Sequence, residues 1–153
     1  MSELNVKLFN YGMYLLGRRD YSAKEMAKKF KEKEYQPEDI EMVISYLQEK
    51  GYQSDERFTR SFINSKLGSK IGISKIKSTL AFEKGIDKEL IATVVDELEL
   101  DEVAVIMKIV EQKYRNKDLT DQKEKSKAFR FLVSKGFSFS DIKRALSVDP
   151  DDY

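Results

Sequence analysis

The chain repeats itself at intervals of 51 residues, and this period constrains its fold more than any other feature of the sequence. Apolar residues recur at that interval in four sets: Tyr35, Ile86 and Phe137; Ile40, Ile91 and Ile142; Val43, Val94 and Ala145; Ile44, Val95 and Leu146. In each copy the last three positions are spaced i, i+3 and i+4, which is one face of a helix. The sequence therefore predicts three equivalent amphipathic helices.

Each of these helices is preceded by residues that favour a helix start. Pro37 follows Gln36 and suits the first helical position. Asp87 and Ser138 stand at the matching places in the other two copies, and both side chains readily accept hydrogen bonds from a first turn. Because the start signals agree with the apolar period, we interpret the period as a structural repeat.

A second helix is predicted just upstream in each copy, within SAKEMAKKFKEKEY, SKIKSTLAFEKGI and KAFRFLVSKGF. Ser22 and Glu25 have the spacing of a capping box at the start of the first of these segments. The apolar pairs on these helices are Met26 and Phe30, Ile76 and Leu80, and Ala128 and Leu132. The middle pair is one residue out of step with the period, which indicates a local bulge or a looser turn before Gly85.

A third helix opens each unit, at residues 4–17, 56–67 and 101–114. The apolar residues expected on their buried faces are Leu8, Met13 and Leu16; Phe58 and Phe62; and Val103, Ile106 and Val110. The prediction is an all-α chain of three tandem three-helix repeats, about nine helices, at residues 1–51, 52–100 and 101–153. Because repeat units bury their faces by stacking, we expect one continuous repeat domain that is elongated and curved. An irregular nine-helix globule is the alternative.

The composition argues against catalysis and against a metal site. The chain has no Cys and no His, so thiol nucleophiles, thiolate ligands and the commonest general base and zinc ligand are missing. The segment GSKIG at 68–72 lacks the length and the GK[ST] ending of a phosphate-binding loop. The many carboxylates are interpreted as solvated helix faces. We expect no enzymatic activity, no cofactor and no metal.

Neither a membrane span nor a signal peptide is indicated by the sequence. Apolar runs stay well below the roughly 18 residues of a spanning helix, and the N-terminal segment MSELNVKLF has no signal-peptide pattern. We therefore expect a cytoplasmic protein that does not enter a membrane.

Charge is strongly segregated along the chain, although the formal net charge is only +1. Residues 57–82 contain six basic residues and no acid, residues 83–102 contain eight acids against two lysines, and residues 108–144 contain eleven basic against five acidic residues. The acid-free stretch is either a solvated face, a surface that follows phosphates, or a docking site for an acidic partner.

The segment DERFTRSFI at 55–63 places two arginines next to two aromatic residues in the sequence. Phe58 and Phe62 are four residues apart and can share the buried face of a helix, while Arg57 and Arg60 project from a neighbouring face. Tyr11, Tyr14 and Tyr21 could stack on bases, but their spacing favours the core.

Four segments resemble the signature segments of RecX, the regulatory protein of the RecA recombinase. They are LLGRRDYSAKEM (15–26), YLQEKGYQSDERFTRSFINSKL (46–67), GISKIKSTL (72–80) and FLVSKGFSFSDIKRAL (131–146). The resemblance covers nearly the whole chain in order, and the RRDYS and DERF blocks are distinctive. The chain departs from the family at LAFEKG, where the glycine stands one residue further from the leucine, and at Glu34, where a glycine is common.

This resemblance implies a non-enzymatic modulator built of three three-helix units. Members of the family lie in the groove of the RecA–single-stranded-DNA filament, reduce ATP hydrolysis and strand exchange, and can destabilise the filament. The expected partners are the RecA filament and its single-stranded DNA, bound by a monomer in DNA repair, homologous recombination and the SOS response. An adaptor for an acidic protein, or a sequence-nonspecific nucleic-acid-binding protein independent of RecA, is the alternative.

The residues expected to contact the filament follow from charge position and not from a family motif. They are Arg18, Arg19, Arg57, Arg60, Lys66, Lys70, Lys75 and Lys77. On this interpretation Phe58 and Phe62 hold their helix in the core while Arg57 and Arg60 face the filament. Asp55 and Glu56 are expected to cap that same helix and to complement its dipole.

The repeat makes a prediction about the dimensions of the molecule in solution. A compact sphere of 153 residues has a radius of gyration of about 15 Å. An elongated array should exceed that value when small-angle X-ray scattering is measured on the monomer. A radius at the compact value would favour the irregular globule.

Overall fold

A computed structural model describes residues 3–147 and contains nine helices and no strand in that part of the chain. They are α1 (Val6–Arg18), α2 (Ala23–Glu32), α3 (Pro37–Glu49), α4 (Asp55–Gly68), α5 (Ile73–Phe82), α6 (Lys88–Leu98), α7 (Glu102–Lys113), α8 (Gln122–Ser134) and α9 (Phe139–Ser147). The predicted all-α class with three-helix repeats is confirmed.

The chain divides into two compact units that do not follow the repeat boundaries. Unit 1 comprises the chain up to Phe62 together with Leu80–Val94, and unit 2 comprises Ile63–Thr79 together with the chain from Val95 onward. The boundaries proposed from the period, 1–51, 52–100 and 101–153, stay a prediction.

The core of unit 1 forms where α1, α2 and α3 pack together. Its buried side chains are Leu8, Leu15, Tyr21, Met26, Phe30, Val43 and Leu47. Gly12 allows α1 to approach closely, because a Cβ at this position would lie 3.0 Å from the Leu47 side chain and 3.2 Å from the Phe30 ring.

The core of unit 2 forms where α7, α8 and α9 pack together, around Ile106, Ile109, Leu132, Phe137 and Ile142. The start of α5 is fixed to the turn between α8 and α9, because the Gly72 N–H donates to the Lys135 carbonyl at 2.7 Å. A Cβ on Gly72 would lie 2.3 Å from the carbonyl carbon of Gly136. Only glycine permits this contact between two backbones.

The helix starts predicted from the 51-residue period are confirmed. Pro37 occupies the start of α3, the Asp87 carboxylate accepts the Glu89 N–H at 2.8 Å before α6, and the Ser138 hydroxyl accepts the Asp141 N–H at 3.2 Å before α9. Burial follows the period less strictly.

Equivalent isoleucines differ in burial. Ile91 and Ile142 are buried, at 3% and 0% exposure, whereas Ile40 is only half-buried. The equivalent core positions therefore carry unequal shares of the packing.

The irregular spacing of the second copy has its cause in one extra residue in a turn. The N–H groups of Tyr35 and Phe137 donate to carbonyls five residues earlier, those of Phe30 and Leu132. The Ile86 N–H instead reaches back six residues to Leu80. Gly85 adopts a left-handed conformation in this turn, with φ of 67°. The predicted looser turn is confirmed.

The predicted core residues of the opening helices are partly wrong. Leu15, Ile63 and Ile109 are buried although they were not predicted. Five predicted core residues are only half-buried: Met13, Leu16, Phe62, Val103 and Val110. Apolar side chains surround these helices on several sides, so the sequence pattern alone did not define which stripe is buried. Of the three tyrosines, Tyr21 is in the core, Tyr11 packs against it and Tyr14 is 58% exposed.

Shortening the repeat-equivalent isoleucines tests their roles in the two units. Ile91→Ala and Ile142→Ala should each lower the free energy of unfolding by about 2–5 kcal/mol, because both leave a cavity. Ile40→Ala should cost roughly half as much, since its side chain already meets solvent. Urea unfolding measures all three.

The control is Val6→Ala, because Val6 is 64% exposed. Its cost should stay below about 0.5 kcal/mol. A cost that small at Ile91 or Ile142 would contradict their placement in the core.

Candidate nucleic-acid interface

The eight basic residues predicted to contact a partner are divided equally between the two units. Arg18, Arg19, Arg57 and Arg60 belong to unit 1, and Lys66, Lys70, Lys75 and Lys77 belong to unit 2. Each group is built on its own elements and has its own internal partners.

Arg57 is tied to the fold by three hydrogen bonds. Its guanidinium donates to the Asp20 carboxylate at 3.2 Å, to the Gly51 carbonyl at 3.2 Å and to the Tyr52 carbonyl at 2.8 Å. Its side chain is still 48% exposed. Arg57 therefore connects the turn before α4 to the turn between α1 and α2. A substitution at Arg57 would change both the stability of the fold and any binding.

Arg19 belongs to a charged cluster around Glu25. Its guanidinium stacks on the Tyr21 ring at 3.6 Å and forms two hydrogen bonds to the Glu25 carboxylate, at 3.3 and 3.2 Å. Lys84 donates to the same carboxylate at 3.1 Å, and the Ser22 N–H donates to it as part of the predicted capping box. The Glu25 carboxylate thus connects α2 to the turn before it and to the segment that follows α5.

The pKa of Glu25 records the balance of these contacts. Burial alone would raise it, but the hydrogen bonds from Arg19, Ser22 and Lys84 outweigh burial and lower the pKa below its ordinary value of 4.5. Glu25 is therefore ionised throughout the neutral pH range and stabilises the folded state as a carboxylate.

The RRDYS and DERF segments contact each other. The Asp55 carboxylate accepts the Ala23 N–H at 2.8 Å, and the buried Gln53 amide donates both to the Tyr21 carbonyl, at 3.1 Å, and to Asp55, at 2.9 Å. Asp55 therefore caps α2, and the predicted role of Asp55 as a cap of its own helix is wrong. Ser54 fills that role, since its hydroxyl accepts the Arg57 N–H at 3.1 Å.

The remaining two arginines make surface contacts. Arg18 donates to the Tyr14 hydroxyl at 3.0 Å, and Arg60 pairs with Glu56 one turn earlier on α4 at 3.1 Å. Exposed pairs of this kind contribute at most about 1 kcal/mol. Arg18 can exchange its contact for a partner at little cost.

The four lysines of unit 2 differ in exposure and surroundings. Lys66 and Lys70 are half-buried, whereas Lys75 and Lys77 are exposed. Lys70 adopts a left-handed conformation with φ of 65°, and its ammonium donates to the Gln112 side chain. Within residues 3–147, the side chains of Lys75 and Lys77 make no hydrogen bond or ion pair. These two ammonium groups are open to a partner as far as the described chain is concerned.

Glu102 places a carboxylate next to residues 57–82, the stretch that contains no acid in sequence. Its carboxylate accepts the Ile73 N–H at 2.9 Å and so caps α5 from the first turn of α7. Burial raises the pKa of Glu102; the Ile73 N–H lowers it, the Asp141 charge raises it and the Lys77 charge lowers it. The charge of Lys77 therefore acts on a carboxylate that is distant in sequence.

Sequence reasoning missed the acids that organise the arginines. Asp20 lies in the RRDYS segment and Glu25 lies three residues after it. The capping-box spacing of Ser22 and Glu25 was the only sequence signal for either acid. Lys84 gave no signal. Lys113 and Lys135 were also missed. Each lies at the C-terminal end of a helix in unit 2 and close to the Phe131 ring.

Two classes of site have no basis in the described chain. In residues 3–147, no group of three or more acidic side chains is arranged to hold a metal ion. None of the helices from α1 to α9 is long and apolar enough to cross a bilayer.

Two family models match this chain. Residues 9–47 match the model of the first three-helix domain of RecX, and residues 100–146 match the model of its third three-helix domain. Together they cover more than half of the chain.

Curated relatives match over most of the sequence. The regulatory protein RecX of Actinobacillus pleuropneumoniae serotype 5b is 34% identical over 97% of this chain and 96% of its own length. That of Haemophilus influenzae strain PittEE is 33% identical over 88% of this chain and 91% of its own length. That of Legionella pneumophila strain Corby is 34% identical over 86% of this chain and 87% of its own length.

Two crystal structures share the fold. RecX from Lactobacillus salivarius superposes with a TM-score of 0.79 at 20% identity, covering 92% of this chain and 93% of that one. A second structure, described as regulatory protein RecX, gives a TM-score of 0.77 at 20% identity and covers 92% of this chain and 71% of that one.

The Glu25 cluster predicts how stability depends on pH. Glu25→Gln should lower the free energy of unfolding at pH 7 by about 1–2 kcal/mol, because it removes the charge that Arg19 and Lys84 contact. A carboxyl whose folded-state pKa is lowered stabilises the protein above its unfolded pKa and loses that effect as the pH falls through the folded value. The difference between variant and wild type should therefore shrink below pH 4.5.

Urea unfolding between pH 7 and pH 3 measures this difference. Glu41→Gln is the matched control, because Glu41 is exposed and makes no hydrogen bond or ion pair within residues 3–147. An equal loss of stability for both variants, or a Glu25→Gln deficit that persists unchanged at pH 3, would contradict the role of Glu25.

Proposed function

The chain belongs to the RecX family, and from that premise we propose that it is a negative regulator of the RecA recombinase. It binds in the groove of the RecA–single-stranded-DNA filament and reduces ATP hydrolysis and strand exchange. The observation that carries this proposal is the 34% identity to a regulatory protein RecX over 97% of the chain. A match of that extent includes both units and all nine helices of the described chain.

The charged residues support a division of roles within this function. Arg19 and Arg57 are engaged by Glu25 and Asp20, so their first role is to hold unit 1 together. The residues best placed to meet a polyanion are the exposed Lys75 and Lys77. Arg18, Arg60, Lys66 and Lys70 complete the proposed contact set.

The setting of this function is also a proposal. We place the protein in the cytoplasm as a monomer that acts in homologous recombination, DNA repair and the SOS response. The alternative is an adaptor that binds an acidic protein without RecA, and the exposed side chains of Lys75 and Lys77 are the observation that favours it. Both functions use binding energy alone and require no catalytic group.

The decisive measurement is the ATPase rate of a RecA filament assembled on single-stranded DNA. Adding the purified protein at comparable or lower concentration should slow turnover, because a groove-bound protein restrains the filament. The protein alone should hydrolyse no ATP and cut no DNA.

Two controls make this result specific. RecA without DNA reports the background rate, and addition before or after filament assembly separates effects on the two stages. Unchanged turnover at saturating protein with the cognate RecA would contradict the proposed function. Recovery of an acidic partner without DNA would then favour the adaptor.

A further inference from the structure

We propose that unit 2 contains a binding site for a phosphate group, formed by the ammonium groups of Lys70, Lys113 and Lys135. The phosphate belongs either to the backbone of single-stranded DNA or to a free phosphate compound. The site deepens the proposed function, and rests on it where the phosphate is that of filament DNA. Lys113 and Lys135 lie outside the contact set proposed above.

The site is a small cavity of about 180 Å³. Its lining consists of Ser69, Lys70, Ile109, Lys113, Phe131 and Lys135. Since a water molecule occupies about 30 Å³ in the liquid, the cavity has room for one phosphate group and a few waters. All of its residues belong to unit 2.

The three lysines reach this cavity from the ends of three different helices. Lys70 follows the end of α4, Lys113 is the last residue of α7, and Lys135 directly follows α8. Lysines at such positions also complement helix dipoles. Dipole complementarity explains one lysine at each helix end, but it does not explain why the three meet at one cavity.

The partners of these lysines are neutral. Lys70 donates to the Gln112 side chain, Lys113 lies 3.3 Å from the centre of the Phe131 ring, and Lys135 lies 5.5 Å from it. Within residues 3–147, none of the three pairs with a carboxylate. Three positive charges around one cavity repel each other, and a bound anion would relieve that repulsion.

The backbone at Lys70 is one that glycine would ordinarily adopt. The Lys70 N–H donates to the Leu67 carbonyl and the Ile71 N–H donates to the Lys66 carbonyl, which closes α4 around a left-handed residue. That residue is usually glycine, because a side chain is disfavoured there. The chain instead carries a lysine whose side chain lines the cavity, at a cost in backbone energy.

The loop that carries Lys70 is held in place. The Gly72 N–H donates to the Lys135 carbonyl at 2.7 Å, and the Gly136 backbone lies against Lys75. These contacts fix the loop at 69–72 to the turn that follows α8. Two of the three lysines are thereby positioned before any ligand binds, which reduces the entropy lost on binding.

The donor set favours phosphate over the carboxylates of an acidic peptide. All three cationic groups are ammonium ions, and no guanidinium lines the cavity. The guanidinium of arginine matches carboxylate and phosphate alike. Three point-like ammonium groups from different directions can each meet a different oxygen of one tetrahedral phosphate, which a planar carboxylate with two oxygens does not offer.

The test is Lys70→Gly, measured by fluorescence anisotropy with a labelled single-stranded oligonucleotide and no RecA. Glycine removes the ammonium group and relieves the left-handed backbone, so the variant should melt no lower than the wild type. At 0.15 M salt its affinity should be about fourfold weaker, and the slope of log K against log salt should be smaller by about 0.7.

The matched control is Lys28→Ala, which removes one exposed lysine of α2 that makes no hydrogen bond or ion pair within residues 3–147. Its slope should equal that of the wild type. Lys113→Gln is a second variant on a different helix and should reproduce the Lys70→Gly result. If both cavity variants behave like Lys28→Ala, the site is refuted.

A second arm identifies the source of the phosphate, using pyrophosphate and phosphorus NMR. Binding of pyrophosphate but not of DNA, with the same dependence on Lys70, supports a site for a free phosphate compound. Binding of neither ligand overturns the proposal. Displacement of bound ligand by polyglutamate with higher affinity than DNA would assign the cavity to an acidic protein instead.

The RecA assay separates this site from the proposed function. If the wild type leaves the RecA ATPase unchanged but binds DNA through Lys70, the regulatory function fails and the site stands. If the wild type slows RecA and both cavity variants bind DNA like the Lys28→Ala control, the site fails and the function stands.

Discussion

The fold depends on one interaction that occurs twice, in which a carboxylate at the start of one helix caps an earlier helix. Asp55, the first residue of α4, accepts the N–H of Ala23 at the start of α2. Glu102, the first residue of α7, accepts the N–H of Ile73 at the start of α5. Each of these two helices thus satisfies a backbone donor of an earlier helix, as expected of helical units that cannot fold alone. One such junction lies in each compact unit.

These junctions change the meaning of charge segregation in the sequence. Residues 57–82 contain no acid, and in isolation the stretch predicts a continuous positive surface. In the fold, Asp20 neutralises Arg57 and Glu102 acts on Lys77. Acids arrive from positions dozens of residues away, so a count along the chain overstates the free positive charge.

The sequence predicted local features well because they depend on neighbours in the chain. The 51-residue period, the capping box at Ser22 and the extra turn residue before Ile86 follow from spacing alone. The candidate site depended on pairings between distant segments. Asp55 looked like a cap of its own helix, and nothing local shows that its carboxylate turns to Ala23 instead. Lys70, Lys113 and Lys135 line one cavity because the ends of three helices meet there. The sequence alone does not show that these helix ends are close in space.

The same distinction separates residues that hold the fold from residues that can bind. A guanidinium with a carboxylate and two carbonyls as partners, like that of Arg57, must give up three hydrogen bonds to meet a phosphate. An ammonium held by an amide or an aromatic ring, like that of Lys70 or Lys113, gives up far less. The free energy of association is only what remains after such losses. A regulator that binds a polyanion therefore gains more affinity from an ammonium of the second kind than from a guanidinium like that of Arg57. In unit 2 these cations include Lys70, Lys113 and Lys135.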